Sequence, residues 1–534
     1  MAVRDVEVYD TTLRDGAQQE GMNLSVGDKM AIAPLLDELG VDVIEGGWPG
    51  AIPKDTEFFA LAHKELELSH ATFAAFGATR KPGTTAAQDG QVRALLDSEA
   101  PVITLVAKSD IRHVELALKT TGDENLAMIA DTVAFLVAHD RRVILDAEHF
   151  FDGYHFDPIY GVRALKAAAD AGASTLVLCD TNGGMLPDDV SRIVAQVAPQ
   201  VTAPLGIHAH NDSGCAVANT MAAVAAGVVQ VQGCINGYGE RTGNADLIAV
   251  VANLEIKRGL IALKNNGLAE ATRVAHAVAE ITNIAPFARQ PYVGYSSFAH
   301  KGGLHASAIR VDRDLYQHTQ PELVGNDMRM VVSEMAGRAS VELKGKELGF
   351  DLADQGELLG RVAERVKNAE AQGYTYDAAD ASFELLLRDE MGDAPHFWET
   401  EGWSVLVQTT PGDPTDAGAE ATVRLSAGGK AVTAGGEGNG PVNALDHALR
   451  SALAGTYPEI ARFDLADFKV RILDATHGTD AVTRVLITTS DTEAGREWRT
   501  VGVAPNVIEA SWEALADALR YGLIHAGVSP REGT

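Results

Sequence analysis

A chain of 534 residues is too long for a single hydrophobic core, so we expect two or three domains. The net charge of −30 argues against nucleic acid or an anionic membrane as the main partner, because both attract basic surfaces. Three cysteines without a CxxC pair argue against a disulfide framework and predict a cytoplasmic location. The N-terminus has no apolar signal region, and no stretch reaches the roughly 18 apolar residues of a membrane span.

Short β-rich runs alternate with longer helical runs in the first half of the chain. Most β-rich runs are continuously apolar, which is typical of parallel strands buried on both faces. Eight such units in about 250 residues predict an α/β fold of the TIM (β/α)8 barrel type. The predicted strands are Val6–Asp10, Val41–Gly46, Thr72–Phe76, Val102–Ala107, Arg142–Ala147, Thr175–Asp180, Leu205–His210 and Val228–Ile235. Crossover helices are predicted at Lys29–Leu39, Pro158–Ala171, Asp188–Val197 and Ala216–Ala226.

The main alternative fold is a doubly wound open sheet. That fold needs a glycine-rich turn after its first strand. The turn here reads TTLRDG at residues 11–16, which favours the barrel.

The pattern changes after the barrel, and we predict three regions. Residues 1–284 form the catalytic barrel, 285–395 a helical linker subdomain, and 396–534 an α+β regulatory domain. Gly436–Leu453 can be laid over Gly502–Leu519 without a gap, each a glycine-containing turn followed by an Ala/Leu-rich helix. This weak repeat predicts a duplicated βββα unit, which holds no cluster of catalytic side chains and so favours a binding or dimerising role.

The motif HAHND ends the predicted seventh strand. His208 and His210 lie two positions apart, so both side chains project from the same face of the strand. In barrels the carboxyl ends of the strands form the catalytic face. Two imidazoles there can hold a divalent metal, although two structural histidines would show the same spacing.

Asp15 and Arg14 lie just past the first strand. Strands one and seven of a barrel are separated only by strand eight, so Asp15 could complete a metal site with the two histidines. Such a site leaves coordination positions open to polarise a substrate carbonyl, and Arg14 would add positive charge beside it. The alternative is an ordinary loop with a glycine turn.

The segment GYGERTGNA follows strand eight and superficially resembles a dinucleotide-binding motif. Its position and its GxGxxxG spacing argue against a Rossmann site. A tight loop that brings Asn244 toward the metal is the interpretation we adopt, with the glycines serving the turns.

Further polar residues end other strands. Glu148 follows strand five and Thr181 follows strand six, where each could orient substrate or a proton-transfer group. Glu45 ends strand two in a similar way. Each of these residues could equally be a hydrogen-bonded residue at a helix entry.

Together, the stretches DTTLRDGAQ, HAHND and GYGERTGNAD resemble the signatures of the DRE-TIM metallolyase superfamily, in its Claisen-condensing branch. That branch includes the synthases of 2-isopropylmalate, homocitrate and citramalate. The resemblance covers the whole chain and implies a linker followed by a regulatory dimerisation domain of the leucine-synthase type, hence a homodimer. It also implies acetyl-CoA and a 2-keto acid as small-molecule substrates.

The resemblance implies roles for individual residues. Asp15, His208, His210 and Asn244 match the metal-site residues of the superfamily. Arg14 matches the residue that steadies the keto-acid carbonyl, and Glu148 and Thr181 match pocket positions that assist catalysis, with Thr181 also contacting substrate. His305 and Tyr316 are similar to a histidine and tyrosine pair of the linker, which implies a role in proton abstraction. The residues after His305 read Ala-Ser-Ala, where the superfamily usually has Asp-Gly.

The acceptor is inferred from two turns. The stretch IEGGWPG at residues 44–50 and the stretch LCDTNGG at 178–184 resemble the citramalate-forming subgroup. This resemblance implies pyruvate as acceptor and isoleucine as the pathway product. A separate hypothesis is that the C-terminal repeat binds isoleucine as an effector at a dimer interface. The alternative acceptor is 2-ketoisovalerate, as in the 2-isopropylmalate synthases. Mixed His/Asp ligation admits Mn²⁺, Mg²⁺, Zn²⁺ or Co²⁺.

Two other functions are compatible with parts of the sequence. A lyase resembling hydroxymethylglutaryl-CoA lyase shares the barrel motifs, but such lyases generally lack the long C-terminal module. A non-enzymatic amino-acid sensor would not need the intact set of Arg14, Asp15, His208 and His210.

Overall fold

The computed structural model describes residues 5–333, 335–408, 418–473 and 481–531. These residues form two compact units. The first comprises the described residues up to Phe298 together with Thr319–Asp327, and the second comprises Ala299–His318 and the described residues from Met328 onward. Within the described residues, no helix is long and apolar enough to cross a membrane.

The first unit contains a closed barrel of parallel strands. Strands β1 to β8 pair in chain order, and β1 closes the ring by pairing with β8, with Val8 opposite Val231. The closed ring confirms the predicted barrel and excludes the open doubly wound sheet. The strands are β1 (Glu7–Asp10), β2 (Val43–Gly47), β3 (Thr72–Ala78), β4 (Val102–Lys108), β5 (Arg142–Glu148), β6 (Thr175–Asp180), β7 (Leu205–Ala209) and β8 (Gln230–Gly233).

Helices surround these strands, so every residue of β2, β6, β7 and β8 is buried. Burial on both faces explains the continuous apolar runs in the sequence. The helices of this unit are α1 (Val26–Leu39), α2 (Pro53–Glu65), α3 (Gly90–Asp97), α4 (Ile111–Leu116), α5 (Gly122–Val137), α6 (Phe150–Phe156), α7 (Pro158–Asp170), α8 (Pro187–Val197), α9 (Ala216–Ala225), α10 (Leu247–Ala252) and α11 (Ala271–Thr282).

Several element ends differ from the prediction, and two of the differences have a clear structural cause. Helix α1 begins earlier, at Val26, because Ser25 and Asp28 form a capping box that satisfies free backbone N–H groups. Strand β8 is shorter than predicted, because the chain turns back after Gly233. There the backbone N–H of Cys234 donates to the carbonyl of Ala245 at 3.2 Å.

The second unit begins with helices and ends with two three-stranded antiparallel sheets. Its helices are α12 (Gly303–Val311), α13 (Arg338–Glu347), α14 (Gly356–Ala371), α15 (Asp380–Met391), α16 (Pro441–Ala454) and α17 (Val507–His525). The short strands β9 (Ala299–His300) and β10 (Arg329–Met330) pair in parallel. One sheet contains β11 (Trp398–Gln408), β12 (Gly418–Ala427) and β13 (Lys430–Gly438), and the other contains β14 (Phe463–Ile472), β15 (Thr483–Asp491) and β16 (Arg496–Ala504).

The predicted βββα duplication is confirmed, since α16 follows the first sheet and α17 follows the second. The two copies also share a tight contact between the third strand and the helix. A Cβ atom at Gly436 would lie 2.6 Å from the carbonyl oxygen of Ala444, and one at Gly502 would lie 2.0 Å from that of Ala510. Glycine at the two corresponding positions therefore lets each helix approach its sheet closely.

Candidate metal centre and substrate cavity

Asp15, His208 and His210 converge at the carboxyl end of the barrel strands. The Oδ2 atom of Asp15 lies 3.1 Å from Nε2 of His208 and 3.6 Å from Nε2 of His210. One ligand atom from each of the three residues lies within 4.8 Å of the others. The three side chains are buried and are arranged so that they could hold one metal ion.

The loop after β1 is held by backbone hydrogen bonds that place Asp15. The N–H of Thr11 donates to the carbonyl of Gly233 at 2.8 Å, and the N–H of Asp15 donates to the carbonyl of Thr11 at 2.9 Å. The hydroxyl oxygen of Thr12 accepts from the N–H of Ile235 at 2.8 Å. These bonds tie the loop to the end of β8, the strand that separates β1 from β7.

The other nitrogen of each imidazole has its own partner. Nδ1 of His208 lies 3.0 Å from Oε1 of Gln232, and Nδ1 of His210 lies 3.3 Å from the carbonyl oxygen of Asp180. Both partners are acceptors, so each Nδ1 carries the proton and each Nε2 offers its lone pair to a cation.

Asn244 adds a fourth potential ligand, an amide oxygen, to the neighbourhood. Its backbone forms a bridge with that of His210, and its side-chain Nδ2 donates to the carbonyl of Tyr238 at 3.0 Å. Its buried Oδ1 has no hydrogen-bond partner among the described residues. A buried oxygen without a partner is costly, and a cation would satisfy it. The donor set of one carboxylate, two imidazoles and one amide therefore fits a divalent ion.

The glycines of the GxGxxxG segment permit this placement of Asn244. Gly239 and Gly243 have φ angles of 142° and 86°, which residues other than glycine rarely adopt. A Cβ atom at Gly239 would lie 2.3 Å from Nδ2 of Asn244. The segment is a tight loop, as predicted, and not a dinucleotide-binding turn.

The charge of Asp15 is stabilised despite its burial. Burial alone would raise the pKa of Asp15, but the positive charge of the Arg14 guanidinium and the adjacent imidazoles of His208 and His210 outweigh that effect. The net result is a pKa well below the usual value of an aspartate, so the carboxylate is available as an anionic ligand.

Arg14 is held by two contacts. Its Nε donates to Oε2 of Glu45 at 2.6 Å, and its guanidinium carbon lies 3.8 Å from the centre of the Phe76 ring. The second carboxylate oxygen of Glu45 accepts from the hydroxyl of Tyr9 at 2.8 Å. The carboxylates of Glu45 and Asp15 raise the pKa of Arg14 above its usual value despite its burial, so it stays charged.

A cavity of about 480 Å³ adjoins this cluster. Arg14, Asp15, His208 and His210 line it, as do the predicted pocket residues Glu148 and Thr181. The cavity thus brings most of the predicted site residues into one space. Asn244 does not line it directly.

Glu148 and Thr181 each have further partners in the cavity wall. Glu148 forms an ion pair with Lys108, a residue that the sequence analysis did not single out. The hydroxyl oxygen of Thr181 accepts from the N–H of His149 at 2.8 Å. The carbonyl of Thr181 accepts from the Arg241 side chain at 2.9 Å, which connects the loops after β6 and β8.

Asp146 is, after Asp15, a further buried carboxyl group in the cavity wall. It received no role in the sequence analysis. It accepts a hydrogen bond from Nε2 of Gln232 at 3.1 Å. Burial, aided by the nearby charge of Glu45, raises the pKa of Asp146 to about 8. Its position two residues before Glu148 on β5 was the available signal, since alternation places both side chains on the same face.

His305 and Tyr316 belong to the second unit. Their rings stack, with centroids 4.0 Å apart and an angle of 28° between the ring planes. The His300 ring lies 6.1 Å from that of His305. The structure thus pairs the two predicted residues with each other, and their catalytic role stays a prediction.

Three family models match consecutive parts of the chain. The model described as HMGL-like matches residues 5–278. The homocitrate synthase post-HMGL domain-like model matches 292–373, and the LeuA allosteric (dimerisation) domain matches 377–523.

Several relatives are similar to this chain along almost its whole length. An (R)-citramalate synthase of Streptomyces coelicolor is 61% identical, with 98% of each chain covered. An (R)-citramalate synthase of Synechocystis sp. is 47% identical, covering 97% of this chain and 96% of the relative. A probable 2-isopropylmalate synthase of Methanopyrus kandleri is 32% identical, covering 96% of this chain and 97% of the relative.

Proposed function

The chain belongs to the HMGL-like family, in the group of the (R)-citramalate synthases, and from this membership we propose that it condenses acetyl-CoA with pyruvate. The reaction consumes one water molecule and yields (R)-citramalate and coenzyme A. The observation that carries this conclusion is the sequence identity of 61% and 47%, over almost the whole chain, to two (R)-citramalate synthases. Sequence identity to a probable 2-isopropylmalate synthase is lower, at 32%, which favours pyruvate over 2-ketoisovalerate as acceptor.

We propose that Asp15, His208, His210 and Asn244 hold a divalent metal ion. The proposal is supported by the clustered ligand atoms and by the partnerless Oδ1 of Asn244. When bound, such an ion supplies a Lewis acid for the oxygen atoms of the keto acid. The donor set suits Mn²⁺, Mg²⁺, Zn²⁺ or Co²⁺.

Arg14 is proposed to bind the carbonyl oxygen of the keto acid. Its guanidinium lines the cavity beside Asp15, and the contacts with Glu45 and Phe76 fix its position. As the new carbon–carbon bond forms, negative charge develops on that oxygen. A cation already held in place lowers the energy of that change without further reorganisation.

A base must remove a methyl proton from acetyl-CoA, and we propose His305 for this step, with Tyr316 as its partner. The assignment is supported by the resemblance to the superfamily and by the stacked rings. Glu148 and Thr181 are proposed to orient substrate, and the ion pair with Lys108 keeps the Glu148 carboxylate in the cavity wall. Water then cleaves the thioester, so coenzyme A leaves and the second carboxylate of citramalate forms.

We further propose that the C-terminal domain, predicted at residues 396–534, binds isoleucine at a homodimer interface. The match to the LeuA allosteric (dimerisation) domain and the duplicated βββα unit support this role. A cytoplasmic location agrees with the three free cysteines. If isoleucine at saturating concentration leaves the condensation rate of the dimer unchanged, the effector is not isoleucine.

Release of coenzyme A tests the proposed activity. A thiol reagent follows the reaction of acetyl-CoA with pyruvate or, separately, with 2-ketoisovalerate. We expect a higher kcat/KM with pyruvate and a product that co-elutes with (R)-citramalate. A preference for 2-ketoisovalerate would instead identify a 2-isopropylmalate synthase, and no thiol release with either acid would favour a sensor.

A further inference from the structure

Gln232 links one histidine of the metal centre to a carboxyl group across the barrel. It lies on β8, is fully buried, and is the register partner of His208 on β7. Its Oε1 lies 3.0 Å from Nδ1 of His208, and its Nε2 donates to Oδ1 of Asp146 at 3.1 Å. One amide therefore joins side chains from β5, β7 and β8.

The two histidines of the centre are oriented by different kinds of acceptor. Nδ1 of His210 faces the carbonyl oxygen of Asp180, which no side-chain substitution removes. Nδ1 of His208 depends on the side chain of Gln232. A ligating imidazole needs such an acceptor, because it fixes the tautomer with the lone pair on Nε2 and holds the ring in place.

Asp146 determines which end of the Gln232 amide faces the histidine. The carboxyl oxygen accepts from the amide N–H, so the amide oxygen is presented to His208. The reversed amide would direct N–H groups at the protonated Nδ1 of His208, and that hydrogen bond would be lost.

We propose that Gln232 is a positioning residue of the metal centre, which holds His208 with Nε2 directed at Asp15 and thereby strengthens binding of a divalent cation. The inference rests on the proposed function, because it takes the cluster as a metal site. Gln232 acts through His208 and has no direct contact with the cation.

Titration calorimetry with Mn²⁺ alone on the metal-stripped, full-length chain tests this inference. The substitution Gln232→Met keeps the length of the side chain and removes both hydrogen bonds. We expect Mn²⁺ affinity to fall by roughly 10- to 100-fold, the usual effect of losing such a partner. Gln230→Met is the matched control, because Gln230 lies on the same strand, is 1% exposed, and donates to Glu7 instead of a residue of the centre.

A double variant keeps the geometry while exchanging the two groups. With Gln232→Glu and Asp146→Asn together, the new carboxylate accepts from His208 and the new amide donates to that carboxylate. We expect its Mn²⁺ affinity to lie within about threefold of the wild-type value. If Gln232→Met lost Mn²⁺ affinity only through a structural defect, the double variant would not recover that affinity. If Gln232→Met does not fold, the double variant alone tests whether the residue at position 232 positions His208.

Three results would overturn the inference: wild-type affinity in folded Gln232→Met, an equal loss in Gln230→Met, or a tenfold or greater loss in the double variant. Failure of the wild-type chain to bind Mn²⁺ is a different result, because it would contradict the metal site itself. The proposed function and the inference can thus be tested separately.

Discussion

The carboxylate Oδ2 of Asp15 lies 3.1 Å from Nε2 of His208, although one residue follows β1 and the other lies in β7. A neutral imidazole with its proton on Nδ1 has only a lone pair on Nε2, which does not attract a carboxylate. A divalent cation between the two groups would resolve this opposition and use both as ligands. The pair is therefore the structural centre of the proposed condensing site.

Replacing Asp15 tests its role as the anionic ligand. Asp15→Ala should lower the condensation rate by several orders of magnitude, because the site loses its one carboxylate ligand. The variant should also lose most of its affinity for Mn²⁺ in titration calorimetry. Asp188→Ala serves as control, since Asp188 is an exposed residue of the first turn of α8. Near-wild-type turnover in folded Asp15→Ala would contradict the metal-site assignment.

Arg14 should not be replaceable by lysine. The guanidinium contacts Glu45 at 2.6 Å and stacks on Phe76, and an ammonium group cannot make both contacts. We expect kcat of Arg14→Lys to fall by roughly 10²- to 10³-fold with pyruvate as acceptor. The exposed Arg112, which pairs with Asp110, provides a control as Arg112→Lys. Equal kcat in wild type and Arg14→Lys would show that the planar group is not needed.

Replacing either of the two corresponding glycines of the βββα units by alanine should lower stability locally. Gly436→Ala would place a Cβ atom 2.6 Å from the carbonyl oxygen of Ala444. Gly502→Ala would place one 2.0 Å from the carbonyl oxygen of Ala510. Each substitution should destabilise the C-terminal sheets by roughly 1–3 kcal/mol, the usual effect of overpacking. Urea unfolding measures the change, and Gly455→Ala is the control because no atom lies within 4 Å of its added Cβ. If all three variants unfold alike, the close approach of helix and sheet is not limiting.

The buried carboxyl group of Asp10 should make the free energy of unfolding depend on pH. Burial raises the pKa of Asp10 to about 7, even though hydrogen bonds from Thr12 oppose this effect. Because the folded pKa lies above the unfolded one, the stabilising contribution is complete below about pH 4 and is lost as pH rises through about 7.

Asp10→Asn imitates the neutral acid and does not titrate. Relative to this variant, the wild-type free energy of unfolding should fall by roughly 1.4 kcal/mol per pH unit between about pH 4 and pH 7. Urea unfolding of both proteins at pH 5 and pH 8 measures the difference. If the free energies of unfolding of wild type and Asp10→Asn differed by the same amount at pH 5 and pH 8, Asp10 would be ionised in the folded protein at pH 5.

The sequence predicted the residues whose positions follow from local periodicity. Alternation along one strand was enough to place His208 and His210 on a common face, and barrel order was enough to bring Asp15 near them. Gln232 was not predicted, because its contact with Asp146 crosses the barrel interior. Spacing along the chain does not show which side chains meet across that interior.

Element ends were harder to predict than the elements themselves. The predicted eighth strand, Val228–Ile235, extended past Gly233, where the chain folds back so that Cys234 pairs with Ala245. Apolar residues continue through this turn, so hydrophobicity alone could not reveal its start. The stacking of His305 on Tyr316 likewise depends on the fold of the linker, and only the resemblance to a family had suggested that pair.

A crystal soaked with Mn²⁺ and pyruvate provides the most direct test of the proposed metal centre. Anomalous scattering at the manganese edge should show one strong peak, roughly 2.0–2.2 Å from an Asp15 carboxylate oxygen and from Nε2 of His208 and His210. Pyruvate oxygens should complete the coordination beside Arg14. If a crystal saturated with Mn²⁺ showed no anomalous peak among these three side chains, or showed its manganese only elsewhere, the proposed metal centre would be contradicted.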